Sequence, residues 1–232
     1  MIKKGIILSG GLGTRMSPIT KSVNKQLLPI YDKPLIYYPL SILMLAGIKD
    51  ILIIVNKGSA NQFKKILADG SNLGIKIKYA EQDKPRGLPD AFKIGKNFIG
   101  DENVALILGD NFFYGQSLSD KLKKIISLKK GATILVHPVK NPNRFGVVTL
   151  KKNKIINLIE KPKKTKSNLA ITGLYFFDNS VIKKTFGLKN SKRNELEIID
   201  LLKEYKKTNT LKIEYLGRGA AWLDAGTIDD FS

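Results

Sequence analysis

Five short apolar runs, at residues 6–8, 51–55, 75–79, 104–108 and 132–136, are separated by amphipathic stretches of helical length near 34–47, 59–69, 88–98 and 117–128. No other feature limits the fold as tightly. A strand shows alternate residues to opposite sides of its sheet, so runs that are apolar at every position predict strands buried on both faces. Strands alternating with helices predict an α/β chain with a mostly parallel sheet flanked by helices. Past residue 137 the pattern turns strand-rich, with runs at 146–150, 155–160, 171–177 and 211–216. The expectation is a single domain over 1–232, its first part about 1–137 and its second part about 138–232.

In an open α/β sheet, ligands bind beyond the carboxyl ends of the strands. The segment that leaves the first strand there is Leu8-Ser-Gly-Gly-Leu-Gly-Thr-Arg-Met-Ser-Pro18. Its glycines let bare backbone N–H groups approach a polyanion, and the guanidinium of Arg15 can hold two phosphate oxygens at once. Two common glycine motifs do not fit. A P-loop carries Lys-Ser or Lys-Thr after its last glycine, whereas Gly13 precedes Thr14-Arg15; a dinucleotide fingerprint needs a glycine where this chain has Met16. Alone, the loop is compatible with phosphate binding or with a plain turn into a helix.

Composition removes several chemistries. There are no cysteines, which excludes disulfides, thiolate metal sites and cysteine nucleophiles. The lone His137 follows a strand-like run and reads as structural. Any metal is therefore expected on carboxylates, which points to magnesium rather than zinc. The formal net charge of +20 is mostly lysine scattered over helices and loops, with no aromatic-interleaved basic stripe. It reads as a surface bias that draws in anionic substrates, with no nucleic acid partner. The apolar stretch at 34–47 is short for a membrane span and predicts a buried helix. No export signal is visible, so a cytoplasmic enzyme with no membrane partner is the expectation.

Four further polar segments accompany the loop: Lys25-Gln-Leu-Leu-Pro29, the turn from Gln82 to Gly87, Leu106-Ile-Leu-Gly-Asp-Asn111, and Gly217-Arg-Gly-Ala-Ala-Trp-Leu-Asp-Ala-Gly-Thr227. Together with Asp32-Lys-Pro-Leu-Ile-Tyr-Tyr-Pro39, Gly109-Asp-Asn-Phe-Phe-Tyr-Gly115, Phe145-Gly-Val-Val148, Glu160-Lys-Pro162, Ser167-Asn168, Thr172-Gly-Leu-Tyr175 and Glu195-Leu-Glu197, they run in order along the whole chain. In this ordered set the chain resembles the sugar-1-phosphate nucleotidyltransferases, and its motifs are most like those of members that use dTTP and glucose 1-phosphate.

The resemblance implies a Rossmann-like sheet of the nucleotide-diphospho-sugar transferase type, with nucleotide bound by the first part and sugar phosphate by the strand-rich second part. It implies in-line attack of a sugar phosphate on the α-phosphorus of the nucleotide, a first step toward dTDP-rhamnose and related deoxysugars. Asp110 and Asp224 would hold Mg2+. Arg15 and Lys25 would clamp the triphosphate, and Lys161 the sugar phosphate. Nucleotide contacts would come from Leu8, Gly10, Gly11, Gly13, Thr14, Gln26, Gln82 and Gly87; sugar contacts would come from Asn111, Gly146, Glu160, Ile171 and Thr172. A uridylyl- or cytidylyltransferase acting on a related sugar phosphate is the alternative.

Three departures from the pattern stand out. Pro89 and Asp90 replace small or amide residues, which is expected to alter base or sugar contacts. Ala225 replaces a threonine, with little expected effect. The family continues past the position of Asp230-Phe-Ser232 into further helices that support a homo-oligomer, a homotetramer in the family; those helices are absent from this sequence.

Overall fold

The apolar runs become strands because each has two faces to bury, and the computed structural model, which describes residues 1–11 and 23–225, shows both faces covered. The strands are β1 (Lys4–Ser9), β2 (Pro29–Ile30), β3 (Lys33–Pro34), β4 (Asp50–Asn56), β5 (Lys76–Gln82), β6 (Val104–Leu108) and β7 (Asn111–Tyr114). They continue as β8 (Ala132–Pro138), β9 (Gly146–Lys151), β10 (Lys154–Glu160), β11 (Leu169–Phe177), β12 (Leu211–Tyr215) and β13 (Ala221–Asp224). The helices are α1 (Tyr37–Leu45), α2 (Ala60–Leu67), α3 (Asp90–Ile94), α4 (Lys96–Ile99), α5 (Leu118–Ile125), α6 (Val181–Phe186) and α7 (Ile198–Lys207).

The period of two divides each central strand between two cores. Ile7, Ile51, Ile53, Val55, Ala105 and Ile107 join one core; Ile6, Leu52, Ile54, Val104 and Leu106 join the other. Helical periodicity supplies the covering layers. Buried Leu118, Leu122 and Ile125 form one stripe of α5, and Phe63 and Leu67 one stripe of α2, against the first core. Ile198, Leu201, Leu202 and Tyr205 of α7 cover the second. Emptying one such position, Leu122→Ala, is expected to cost about 2–5 kcal/mol.

The stretch expected as one helix near 88–98 is two, α3 and α4, broken at Gly95. A β-carbon there would lie 2.9 Å from the Ala91 carbonyl oxygen and 2.9 Å from the Ile6 side chain, so the backbone itself packs against β1.

The α/β class is as the alternation predicts. The main sheet runs β10-β9-β11-β6-β1-β4-β5, with β8 and β12 branching from β11. Strands β6, β1, β4 and β5 are mutually parallel and carry their carboxyl ends to one edge. The run at 132–136 becomes β8, which points the same way as its four predecessors but pairs with none of them: it lies antiparallel to β11 and parallel to β12. Strand β11 makes this possible. It pairs β8 at Ile171, slips register, and pairs again at Tyr175, while its C-terminal half also pairs antiparallel with β6. A separate ribbon, β13 with β7, closes the ligand edge.

Candidate functional site

The carboxyl ends of β1, β4, β5 and β6 form one wall of the site. After β1, Gly10 and Gly11 begin the glycine loop, and Gly11 has φ +113°, where glycine alone is unstrained. Asn56, the last residue of β4, fastens the loop. Its Oδ1 accepts from the Gly11 N–H at 3.0 Å and its Nδ2 donates to the Gly11 carbonyl at 2.8 Å, a side chain standing in for one more rung of ladder. Gly13, Thr14 and Arg15 lie outside the described residues. Leu8 contributes its carbonyl, which accepts from the Gly109 N–H at 2.9 Å. A side chain at Gly109 would overlap the Ser9 hydroxyl, so the β6 turn that presents Asp110 requires glycine.

Asp110 meets three partners, two of them from distant sequence. The Lys25 ammonium lies 2.8 Å from its Oδ2, and Lys25 is only 8% exposed on this side of the pair. That lysine sits in a 3₁₀ turn over Lys25–Leu27, which Asn24 caps by accepting from the Gln26 N–H. The Asn111 side chain donates from Nδ2 to Asp110 Oδ1 at 3.1 Å. Ala225 donates its N–H to the Asp110 carbonyl at 2.9 Å, just past the rung where Asp224 faces Asn111. The backbones of the two expected metal carboxylates therefore lie close together at the end of the β7–β13 ribbon.

These donors are hard oxygens, the chemistry magnesium takes. Among the described residues no group of three or more His, Asp or Glu could hold a metal alone. The arrangement fits a cation that fills its remaining positions with substrate phosphate and water.

Asn111 is 1% exposed and is held by the scaffold on the floor of the site. Besides reaching Asp110, its Oδ1 accepts from the Gly173 N–H at 3.1 Å and from the Trp222 indole at 2.6 Å. A β-carbon on Gly173 would collide with the Asn111 amide. The register slip in β11 thus brings a bare backbone N–H to the buried amide oxygen of Asn111.

The second wall is a cleft of about 370 Å³ that gathers Asn111, Gly146, Glu160, Lys161, Ile171 and Asp224 from among the expected residues. This volume is at the small end for ligand pockets. Gly146 and Glu160 face each other across β9 and β10. Lys161 has φ +41°, unusual for a side chain with a β-carbon, and its N–H donates to the Phe145 carbonyl at 3.0 Å. That turn leaves the ammonium about half exposed and 3.9 Å from Glu160 Oε1. Burial raises the Glu160 pKa; Lys161 opposes the shift and Glu197 adds to it. The cleft thus pairs a hydrogen-bond acceptor with a cation, as a phosphorylated polyol requires.

Among the cleft residues to which the sequence reading gave no role are Arg144, Tyr175 and Trp222. Burial, with Glu160 and Asp224 nearby, drives the Tyr175 phenol far up, which keeps it a neutral hydroxyl. A signal for Trp222 was available, since alternation along β13 puts it on the face of Asp224. Thr172 is fully buried, and its hydroxyl has no partner among the described residues; it does not line the cleft. Gln26 is similar, 4% exposed with an unpartnered buried Oε1. Gly87 has φ +94°, and a side chain there would overlap the Leu196 carbonyl. His137 lies on β8, where burial lowers its pKa, away from both walls.

A glycine loop, a carboxylate pair and a cleft with its own cation, all at one sheet edge, define a protein built to bring two anions together. The chain belongs to the nucleotidyl transferase family, which it matches over residues 4–232. Among its relatives, a glucose-1-phosphate thymidylyltransferase of Neisseria meningitidis is 55% identical over 97% of this chain and 78% of its own length. One of Mycobacterium tuberculosis is 51% identical over the same shares. A Bacillus anthracis protein provisionally given that name, crystallised with sucrose, superposes with a TM-score of 0.91 at 38% identity, covering 98% of this chain and 91% of that one. A UDP-glucose pyrophosphorylase with bound UDP-glucose is more distant, at TM-score 0.85 and 28% identity, covering 100% and 96%.

Proposed function

We propose that the chain joins dTTP to α-D-glucose 1-phosphate, giving dTDP-glucose and pyrophosphate. The observation that carries this reading is identity above one half, over 97% of the chain, to glucose-1-phosphate thymidylyltransferases. The geometry agrees with it. An oxygen of the sugar phosphate forms the new bond to the α-phosphorus, and the bond from that phosphorus to the bridging oxygen breaks. The bridging oxygen leaves with the electron pair as part of pyrophosphate. The attacking phosphate is already ionised near neutral pH, so no general base is required.

Both reactants are anions, and the chain's main work is to hold them together. Arg15, outside the described residues, and Lys25 clamp the triphosphate and steady the charge that grows on the leaving group. Lys161 holds the attacking phosphate. Glu160 accepts from the sugar hydroxyls, beside the Gly146 backbone and the neutral Tyr175 hydroxyl. Gln26, Gln82 and Gly87 meet the base. Asp110 and Asp224 would hold Mg2+, which when bound neutralises phosphate charge. Asn111 keeps Asp110 and Trp222 in place. The parts of about 1–137 and 138–232 work as one unit. Among the described residues no helix is long and apolar enough to cross a membrane.

The test is a pyrophosphate-release panel of dTTP, UTP, CTP and GTP against glucose 1-phosphate and other sugar phosphates, with and without magnesium. The expected result is the highest kcat/KM for dTTP with glucose 1-phosphate, lost on chelation. No turnover of that pair, or a clear preference for another nucleotide, overturns the reading.

A further inference from the structure

The turn that follows β5 holds a buried polar pair, Gln82 and Asp90, of which the chemistry above uses only Gln82. Gln82 closes β5 and Asp90 opens α3; each is 5% exposed. The Gln82 Nε2 donates to Asp90 Oδ2 at 3.0 Å. Asp90 is also one of the positions at which the sequence departs from the pattern it otherwise follows.

The direction of this bond has a consequence for the other end of the amide. An ionised carboxylate only accepts hydrogen bonds, so it must face the NH2 end of Gln82 and not its oxygen. The Arg86 guanidinium lies 3.9 Å from the same Asp90 oxygen, a second donor group on that side of the carboxylate. With Nε2 held, Oε1 points the opposite way. It lies 2.8 Å from where a β-carbon on Gly10 would be, so it faces the first glycine of the loop after β1.

We propose that Asp90 is a positioning residue for base selection: it locks the Gln82 amide so that an acceptor, never a donor, is offered to the nucleobase. An acceptor there suits a pyrimidine whose ring N3 carries a hydrogen, as in thymine and uracil. Cytosine presents a lone pair at N3, and two acceptors would then face each other without a proton between them. A buried acceptor left unpaired is heavily disfavoured. The inference rests on the reading that Gln82 meets the base of dTTP. It goes beyond that reading by assigning discrimination against cytosine to a carboxylate that does not touch the nucleotide.

The experiment compares kcat/KM for dTTP, UTP and CTP, with glucose 1-phosphate, in the natural chain and in Asp90→Asn and Asp90→Ala. Asparagine is isosteric and can offer either end of its own amide, so Gln82 becomes free to turn over. In the alanine variant, water, which donates or accepts, takes the carboxylate's place. The natural chain should prefer UTP to CTP by about 100-fold. Either variant should reduce that ratio by about tenfold or more, with the dTTP-to-UTP ratio unchanged because both bases carry the N3 hydrogen. A merely structural role would lower all three rates alike and leave the ratios where they were, which overturns the proposal. So does a natural chain that accepts CTP as readily as UTP, even if neither variant folds. Failure of the natural chain to turn over dTTP at all would instead overturn the functional reading beneath it.

Discussion

The two walls of the site are built on opposite plans. The nucleotide wall is made of loops that each continue a parallel strand, so its residues lie next to the runs that define the sheet: Gly10 after β1, Asn56 at the end of β4, Gln82 at the end of β5 and Asp110 after β6. The sugar wall is made of antiparallel pairings between segments far apart in sequence, joined by one buried amide, Asn111, to both Gly173 and Trp222. Removing a residue from the first wall should remove chemistry and leave the fold. Removing one from the second should disturb the fold and the chemistry together.

The largest effect should come from the carboxylate where the walls meet. Asp110→Asn is expected to lower kcat by roughly 10³-fold. Thermal unfolding should change far less than kcat, because the amide oxygen can still accept from one of Asn111 and Lys25, although its NH2 group cannot accept from the other. Near-normal pyrophosphate release in this variant would remove Asp110 from the reaction. Next, Lys161→Ala should lower kcat/KM for glucose 1-phosphate by about 100-fold while the KM for dTTP stays within about twofold. Equal losses for both substrates would show that the walls do not divide the substrates as described.

Asn111→Ala separates the plans most sharply. It leaves the Gly173 N–H and the Trp222 indole without their acceptor, at a cost of about 2–4 kcal/mol in denaturant unfolding. Unchanged stability would mean that the amide does not hold the sugar wall. The smallest effect concerns pH. Burial raises the Glu160 pKa, so its charged, accepting form is lost as pH falls through a value above the usual carboxylate range. The KM for glucose 1-phosphate should rise over that window. Glu160→Gln should lack this component, leaving only the titration of the substrate phosphate. Identical pH profiles for the two proteins would exclude Glu160 as the titrating group.

The same contrast explains what could be read from the sequence. The four parallel strands, their helices and the polar ends of β5 and β6 were legible because apolar period and loop position are local properties. Asp110 was visible as the first charge after a buried run. The pairing of β8 was not, because it is set by β11, whose register slip between Ile171 and Tyr175 depends on partners in three other strands. Asn111 read as a sugar contact because its neighbours in sequence are site residues, yet its partners lie 62 and 111 positions away. The left-handed backbone of Lys161 gave no compositional sign, since a lysine there resembles any surface cation. Asp90 was visible as a departure, but its meaning needed the direction of one hydrogen bond.

The central claim is that both walls are filled at once, so that the sugar phosphate attacks the α-phosphorus directly. The configuration at that phosphorus tests it most simply. With dTTP carrying sulfur in place of one non-bridging α-oxygen, a single in-line displacement inverts the centre, and inversion in the resulting nucleotide sugar is the expected result. Retention would require two displacements through a nucleotidylated form of the chain, and would contradict a site that holds both substrates together.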